Sequence, residues 1–263
     1  MPKISVIMPT ARYGGLDVLL QSMYHQTVQA DEILVVDELR RKKEIENQGF
    51  KYVEPPAKKP GMWWNLDASL NAAIRQASGD LIVQINDYVW APKDGIAKFV
   101  ARHAVEPKAL ISGVSDQFRA PLPDNPCGRF SVWNTWPGNP CGEKVFSDPR
   151  KESTNQGFYL TIPLLFEGNW CAYPRQAWVD VGGYDEAFDA GWGYDNVEFA
   201  ERATFHGYHV FLDTENEVRC FSHIKLFDEQ KVRDSAPNNN ALYNRLSRMW
   251  YQKEAPTKLG FAG

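Results

Sequence analysis

The chain has 263 residues, enough for one large α/β domain or two small ones built on a substantial core. Hydrophobic residues make up 43% and charged residues 24%, an ordinary globular balance. A net charge of −4 argues against nucleic acid as a partner, although a local basic patch can still hold a phosphate.

Four cysteines, Cys127, Cys141, Cys171 and Cys220, form no CxxC pair and no zinc-type spacing with histidine. A Cys127–Cys141 disulfide is one reading, and a reduced cytoplasmic chain is the simpler one. The amino terminus enters a strand pattern at once and no apolar run approaches ~18 residues, so neither a leader nor a membrane span is expected. Nine tryptophans point either to an aromatic core or to surfaces that stack on flat or sugar-like ligands.

Residues 3–9, KISVIMP, read as a buried strand. A helical pattern follows over 16–26, then a second buried strand, EILVVD, over 32–37, and a basic segment at 40–43. A short strand is predicted over 50–53. The spacing of Leu66, Leu70, Ala73, Ile74 and Ala77 predicts a helix over 62–78, with Gly79 as its cap. DLIVQI at 80–85 is the fourth strand, followed by a helix over 93–105 and a fifth strand over 109–114. Residues 118–166 read as a long irregular loop rich in Pro, Gly, Asn and Trp. Beyond it, a strand is predicted over 169–173, a helix over 174–181 with Pro at its start, two strands over 208–212 and 218–223, and a final helix over 241–251.

Strands alternating with helices predict a mainly parallel sheet covered on both faces, with ligands bound outside the carboxyl ends of the strands. Three polar tips fall there: Pro9-Thr10, Asp37-Glu38 and Asn86-Asp87. The dinucleotide fingerprint GxGxxG is absent after the first strand, as is the phosphate loop GxxxxGK[ST]. A diphosphate here would need other means of neutralisation, and a metal bound by Asp87 is the obvious candidate. In the second half, residues 182–202, GGYDEAFDAGWGYDNVEFAER, place a Gly-rich aromatic loop directly before a helix start carrying Asp195 and Glu198 in D-x-x-E spacing. The plain reading of Asp195 is a helix cap, and of Glu198 and Arg202 an i,i+4 ion pair on the helix surface. Asp185-Glu186 reads as a structural turn.

The pieces ISVIMPT, DEILVVDE, ASLNAAIRQASGDLIVQIND, GGYDEAF and GWGYDNVEFAER, in this order, resemble the GT-A fold glycosyltransferases, in particular the family 2 group, with a galactosyltransferase-like acceptor motif of the WGxED type. The resemblance implies a Rossmann-like α/β fold: a mainly parallel central sheet flanked by helices in a single domain with an irregular acceptor-side half. It divides the chain into a nucleotide-sugar half (1–115), an acceptor and catalytic half (116–225, with the loop 118–166), and a C-terminal tail and helix (226–263).

The resemblance implies that Thr10, Ala11 and Asp37 hold base and ribose, that Asn71 lies near the nucleotide, and that Asn86 meets ribose or phosphate. It implies Mn²⁺ or Mg²⁺ bound by Asp87, with His223 as second protein ligand, bridging the donor diphosphate. Trp192 and Tyr194 would stack on the acceptor. The family's usual base position is occupied by Asn196. Three readings follow: Asp195 serves as base, the motif is displaced by one residue, or the reaction retains configuration. The expected activity is hexosyl transfer from a nucleotide-sugar, UDP-sugar by prior, to a carbohydrate or other hydroxyl acceptor, with inversion and Asp195 as general base. The alternatives are a catalytically impaired carbohydrate- or nucleotide-binding protein on the same fold, and a nucleotidyltransferase.

Overall fold

The computed structural model describes residues 1–11, 16, 22–62, 64–118, 144–152, 155–221 and 229–258. The strands are β1 (Ile4–Thr10), β2 (Glu32–Asp37), β3 (Lys51–Val53), β4 (Leu81–Ile85), β5 (Val89–Trp90), β6 (Ala109–Phe118), β7 (Lys144–Phe146), β8 (Phe158–Leu160), β9 (Trp170–Pro174) and β10 (His209–Phe221). The helices are α1 (Lys42–Asn47), α2 (Leu66–Gln76), α3 (Gly95–Val105), α4 (Arg175–Val181), α5 (Asp195–Phe205) and α6 (Glu229–Lys258).

One sheet runs in the order β3-β2-β1-β4-β9-β6-β10-β5, with β7 beside β6 and β8 beside β10. Along that path β3, β2, β1, β4, β6 and β10 point one way, and β9 and β5 the other. The mainly parallel sheet expected from the sequence is therefore present. Its strands are apolar on both faces because both faces are covered. Val6, Met8, Val35 and Val83 pack into a core with Phe99 and Trp170. Ile7, Leu34 and Ile82, on alternate positions, pack into a second core with Leu70, Ile74, Tyr173 and Phe199. Trp170 is fully buried, lies 4.8 Å from Phe99 between ring centroids, and donates its indole N–H to Asn216 at 3.0 Å. This tryptophan is core rather than a ligand platform.

The structure corrects the sequence reading at four places. Gly79 does not cap α2, which ends in the extended Ala77. A Cβ at Gly79 would stand 2.5 Å from the backbone nitrogen of Ser5, so the glycine lets the chain pass close to β1. The loop expected over 118–166 contains β7, β8 and 3-10 turns at Pro149–Glu152 and Pro163–Leu165; residues 119–143 lie outside the described residues. The two strands expected over 208–223 are one strand, β10, whose register against β6 shifts between Leu212 and Glu217. Residues 213–216 lie within that shift, and Asp213 pairs instead with Phe158 of β8. The last helix starts at Glu229, not at 241. Residues 225–240 are polar and show no apolar face, and an interior proline, Pro237, costs ~3 kcal/mol. Here Ser235 and Asn239 are buried against the body of the protein, and that packing offsets the local penalty.

Candidate functional site

At the carboxyl ends of the strands, Thr10 Oγ1 donates to Asp87 Oδ2 at 2.7 Å, and both residues are buried. Ala11 follows, half-buried. Asp37 is fully buried; its carboxylate accepts from Nε and Nη2 of Arg41 at 2.9 and 3.1 Å and from the backbone N–H groups of Leu39 and Arg41. Arg41, from the basic segment, is thus the side chain that accompanies Asp37 at this tip. Asn86 is half-buried, donates its amide to the Tyr88 hydroxyl at 3.0 Å, and gives its backbone N–H to Asn169 O at 3.1 Å. Asn169 in turn donates to Ser115 Oγ at 2.9 Å, while its own Oδ1 is buried with no donor. Opposite, Cys220 of β10 is paired with Val89, so β10 ends beside the Asp87 turn. Cys171 and Cys220 are buried and free, and burial pushes both thiols up.

Asn71, on α2, makes its hydrogen bonds with Trp178, Tyr184 and Glu186. It is buried, donates to Tyr184 O and Glu186 Oε1, and accepts from Trp178 Nε1 and Tyr184 N. Its amide is used up in fastening the GGYDE turn to α2. Gly183, at φ +92°, has no room for a Cβ, which would meet Asn71 Oδ1 at 2.8 Å.

In the 182–202 stretch, Asp185 accepts from Ala187 N at 3.0 Å and caps the 3-10 turn Glu186–Ala190, the structural role its sequence suggested. Trp192 is 55% exposed, an unusual position for an indole and one suited to stacking. Tyr194 holds a left-handed backbone, φ +71°, and its ring stacks on Tyr243 of α6. α5 then begins at Asp195. One carboxylate oxygen of Asp195 is buried without a partner. Burial raises this carboxyl to about 6, helped by Asp189 and Glu198 and opposed by the N–H groups of Asp195 and Asn196. Asn196 Oδ1 is also buried without a donor and faces Gly168, where a Cβ would approach it to 2.2 Å.

Glu198 and Arg202 are not on the surface. Both are buried and joined by two hydrogen bonds, and Arg202 also donates to Val181 O at 2.7 Å. Below them, Asp189 accepts from the backbone N–H groups of Asp67 and Ala68 and so caps α2. Sequence reasoning missed Asp67, Asp189, Gln84 and Asn239. For Asp67 there was a signal: it stands at i−3, i−4 and i−7 from Leu70, Asn71 and Ile74, on the buried arc of an amphipathic helix.

Among the described residues no three His, Cys, Asp or Glu side chains converge as metal ligands. Asp87 stands at the tip beyond β4 while the Asp37 carboxylate is paired with Arg41, and His223 lies outside the described residues. A single carboxylate is compatible with a hard divalent ion held chiefly by the substrate's phosphates.

The family described as the N-terminal domain of galactosyltransferase matches residues 150–225, which include the 182–202 stretch. Over 138 residues, half of the chain, the sequence is 28% identical to the probable N-acetylgalactosaminyltransferase 9 of Caenorhabditis elegans. A structure of GalNAc-T7 with UDP, GalNAc and Mn²⁺ superposes over 86% of this chain with TM-score 0.61 and 16% identity. The fold is GT-A. The mannosyltransferase PcManGT of Pyrobaculum calidifontis, in complex with GDP-Man and Mn²⁺, covers 86% at TM-score 0.55 and 21% identity. TarS of S. aureus covers 96% at TM-score 0.59 and 12% identity. The chain spans 23% of the length of the curated relative and 45%, 58% and 40% of these three structures. The likeness to GT-A glycosyltransferases drawn from the motif order is borne out. Among the described residues no helix is long and apolar enough to cross a membrane.

Proposed function

We propose that the protein transfers a sugar from a nucleotide-sugar, with UDP as the expected nucleotide, to a hydroxyl acceptor. The observation that carries this reading is the Thr10–Asp87 hydrogen bond, which joins the tips of β1 and β4 where a GT-A donor is bound. Thr10, Ala11 and Asp37 with Arg41 would frame base and ribose. Asp87 would hold Mn²⁺ or Mg²⁺ against the diphosphate with His223 as second ligand, and Asn86 would meet ribose or phosphate. The metal, when bound, neutralises charge developing on the leaving nucleotide. Trp192 offers the acceptor a stacking face. Asp195, whose carboxyl is raised toward neutrality, has a proton affinity suited to a general base, and this predicts inversion at the anomeric carbon.

A second reading, a binding protein without turnover, is favoured by Asn196 at the family's base position and by the single acid in Asn86-Asp87-Tyr88. One experiment separates the two. The protein is incubated with UDP-, GDP- and dTDP-sugars, with Mn²⁺ or with EDTA, and nucleotide release is measured alongside nucleotide binding. Release that Asp195→Asn abolishes, with binding intact, supports the transferase. Binding without release supports the second reading, and neither from any donor removes both. The anomeric configuration of the product, read by NMR, tests the role of Asp195.

A further inference from the structure

The start of α2 is capped from a distance. Asn65, the residue just before the helix, is of a type that normally caps with its own side chain, but it makes no such bond here. Its amide donates instead to Glu38 Oε1 at 2.7 Å and to Pro56 O at 2.8 Å. Glu38 in turn gives its backbone N–H to Thr10 O at 2.9 Å, so the residue that opens α2 is tied to the tips of β1 and β2. The N–H groups that a helix start leaves open are met by another part of the chain. Asp189, 3% exposed, accepts from Asp67 N at 3.0 Å through one carboxylate oxygen and from Ala68 N at 3.2 Å through the other. Its backbone carbonyl accepts from Trp64 N at 3.0 Å. A carboxylate is also the charge that the amino end of a helix favours.

Asp189 lies three residues before Trp192. The far side of the same loop is closed by α6, where Asn239 donates to Phe188 O and Gly193 O, and a Cβ at Gly191 would stand 2.5 Å from Asn239 Oδ1. Residues 188–193 are therefore bonded at both ends, with the indole of Trp192 left exposed between them. We propose that Asp189 is a positioning residue for Trp192: by capping a helix whose opening residue is fastened to β1 and β2, it fixes where the indole stands relative to a nucleotide-sugar at the strand tips. The effect on transfer rests on the transferase reading; the hold of Asp189 on the loop does not.

The test compares wild type with Asp189→Ala, which has no acceptor, and Asp189→Asn, which keeps one accepting oxygen. Ala72→Gly, which weakens α2 in its middle without touching the cap, is the control for helix stability. The first arm is amide hydrogen exchange on the full chain without ligand. Asp189→Ala is expected to speed exchange over 188–194 by about tenfold or more, Asp189→Asn by less, and Ala72→Gly to leave that stretch as in wild type. Unchanged exchange over 188–194 in Asp189→Ala, or the same rise in Ala72→Gly, would overturn the hold on the loop. The second arm is transfer to p-nitrophenyl glycosides, aryl acceptors able to stack on an indole, from the donor that the nucleotide-release panel identifies. Asp189→Ala is expected to raise the KM for the glycoside about fivefold or more, with kcat and the KM for the nucleotide-sugar within about twofold, and Asp189→Asn to restore part of the loss. In a Trp192→Ala background, Asp189→Ala should raise the glycoside KM no further. An unchanged glycoside KM, an equal rise for the nucleotide-sugar, or full additivity with Trp192→Ala would overturn the positioning role. A protein that transfers from no donor fails the function proposed above, while the exchange arm still decides whether Asp189 holds the loop.

Discussion

Tyr243, on the C-terminal helix, stacks on Tyr194 with ring centroids 5.3 Å apart and planes inclined by 26°. Tyr194 is one of two non-glycine residues found at positive φ among the described residues, and it ends the loop that presents Trp192. The strained conformation is thus clamped from outside. Asn239, one helical turn earlier, adds to the clamp by donating to Phe188 O and Gly193 O, both at 2.9 Å.

Asn239→Ala should leave these two carbonyls short of a donor in a buried setting. A loss of about 1–3 kcal/mol in unfolding free energy is expected. If the loop shapes the acceptor site, the KM for acceptor should rise several-fold while nucleotide binding holds. Equilibrium unfolding and nucleotide titration check the two parts separately.

Glu198→Ala should be far more damaging than removal of a surface ion pair. It would strand the Arg202 guanidinium in a buried site, at a cost of about 3–5 kcal/mol. Replacing both residues by apolar side chains of similar volume should recover much of that loss. A double-mutant cycle in urea measures the difference.

Gly168→Ala tests the contact between the β9 approach and α5. Its Cβ would meet Asn196 Oδ1 at 2.2 Å and Gln84 Nε2 at 2.5 Å. Both side chains would have to move, and Asn196 is the neighbour of Asp195 on α5. Transfer is expected to fall by about tenfold or more, with a smaller fractional change in nucleotide affinity, and steady-state kinetics would show it.

Acid should weaken the hold of β2 on its neighbours. Glu32 is buried, accepts from Ser5 Oγ, Ser78 N and Ser78 Oγ, and is paired with Lys51. Burial alone would raise its carboxyl, but Lys51 and the serine donors outweigh it and hold the group at about 2. The folded value lies below the unfolded one, so the stabilisation is present above the ordinary carboxylate range near ~4.3 and is lost as pH falls from there toward about 2. Glu32→Gln should be the less stable protein at pH 7, and the gap should close on acidification. Urea midpoints at pH 7, 4 and 2.5 check this.

The parallel half of the sheet was legible because runs such as ISVIMPT and EILVVD are apolar at every position, and only double-sided burial accounts for that pattern. The strand tips Thr10 and Asp87 followed from the same runs. What sequence could not show was the partner of each polar side chain. That Asn71 fastens the GGYDE turn could not be read, because its four hydrogen bonds are made 107 to 115 residues away. Glu198 and Arg202 looked like a surface pair because i,i+4 spacing says nothing of what lies over the helix. The C-terminal helix was started only at 241 because the polar residues before it gave no apolar face, and the buried contacts of Asn239 could not be seen in sequence.

The position of β9 bears on how the chain can be divided. This strand comes late in sequence but sits in the middle of the sheet, hydrogen-bonded to β4 over Leu81–Ile85 on one side and to β6 on the other. Until residues 170–174 have been synthesised, β4 is a bare edge whose five residues are all destined for burial. A fragment ending near residue 115 would carry that edge into solution, an invitation to edge-to-edge association. Residues 1–115 should therefore aggregate when expressed alone, and the sheet should close only after the nascent chain has passed β9.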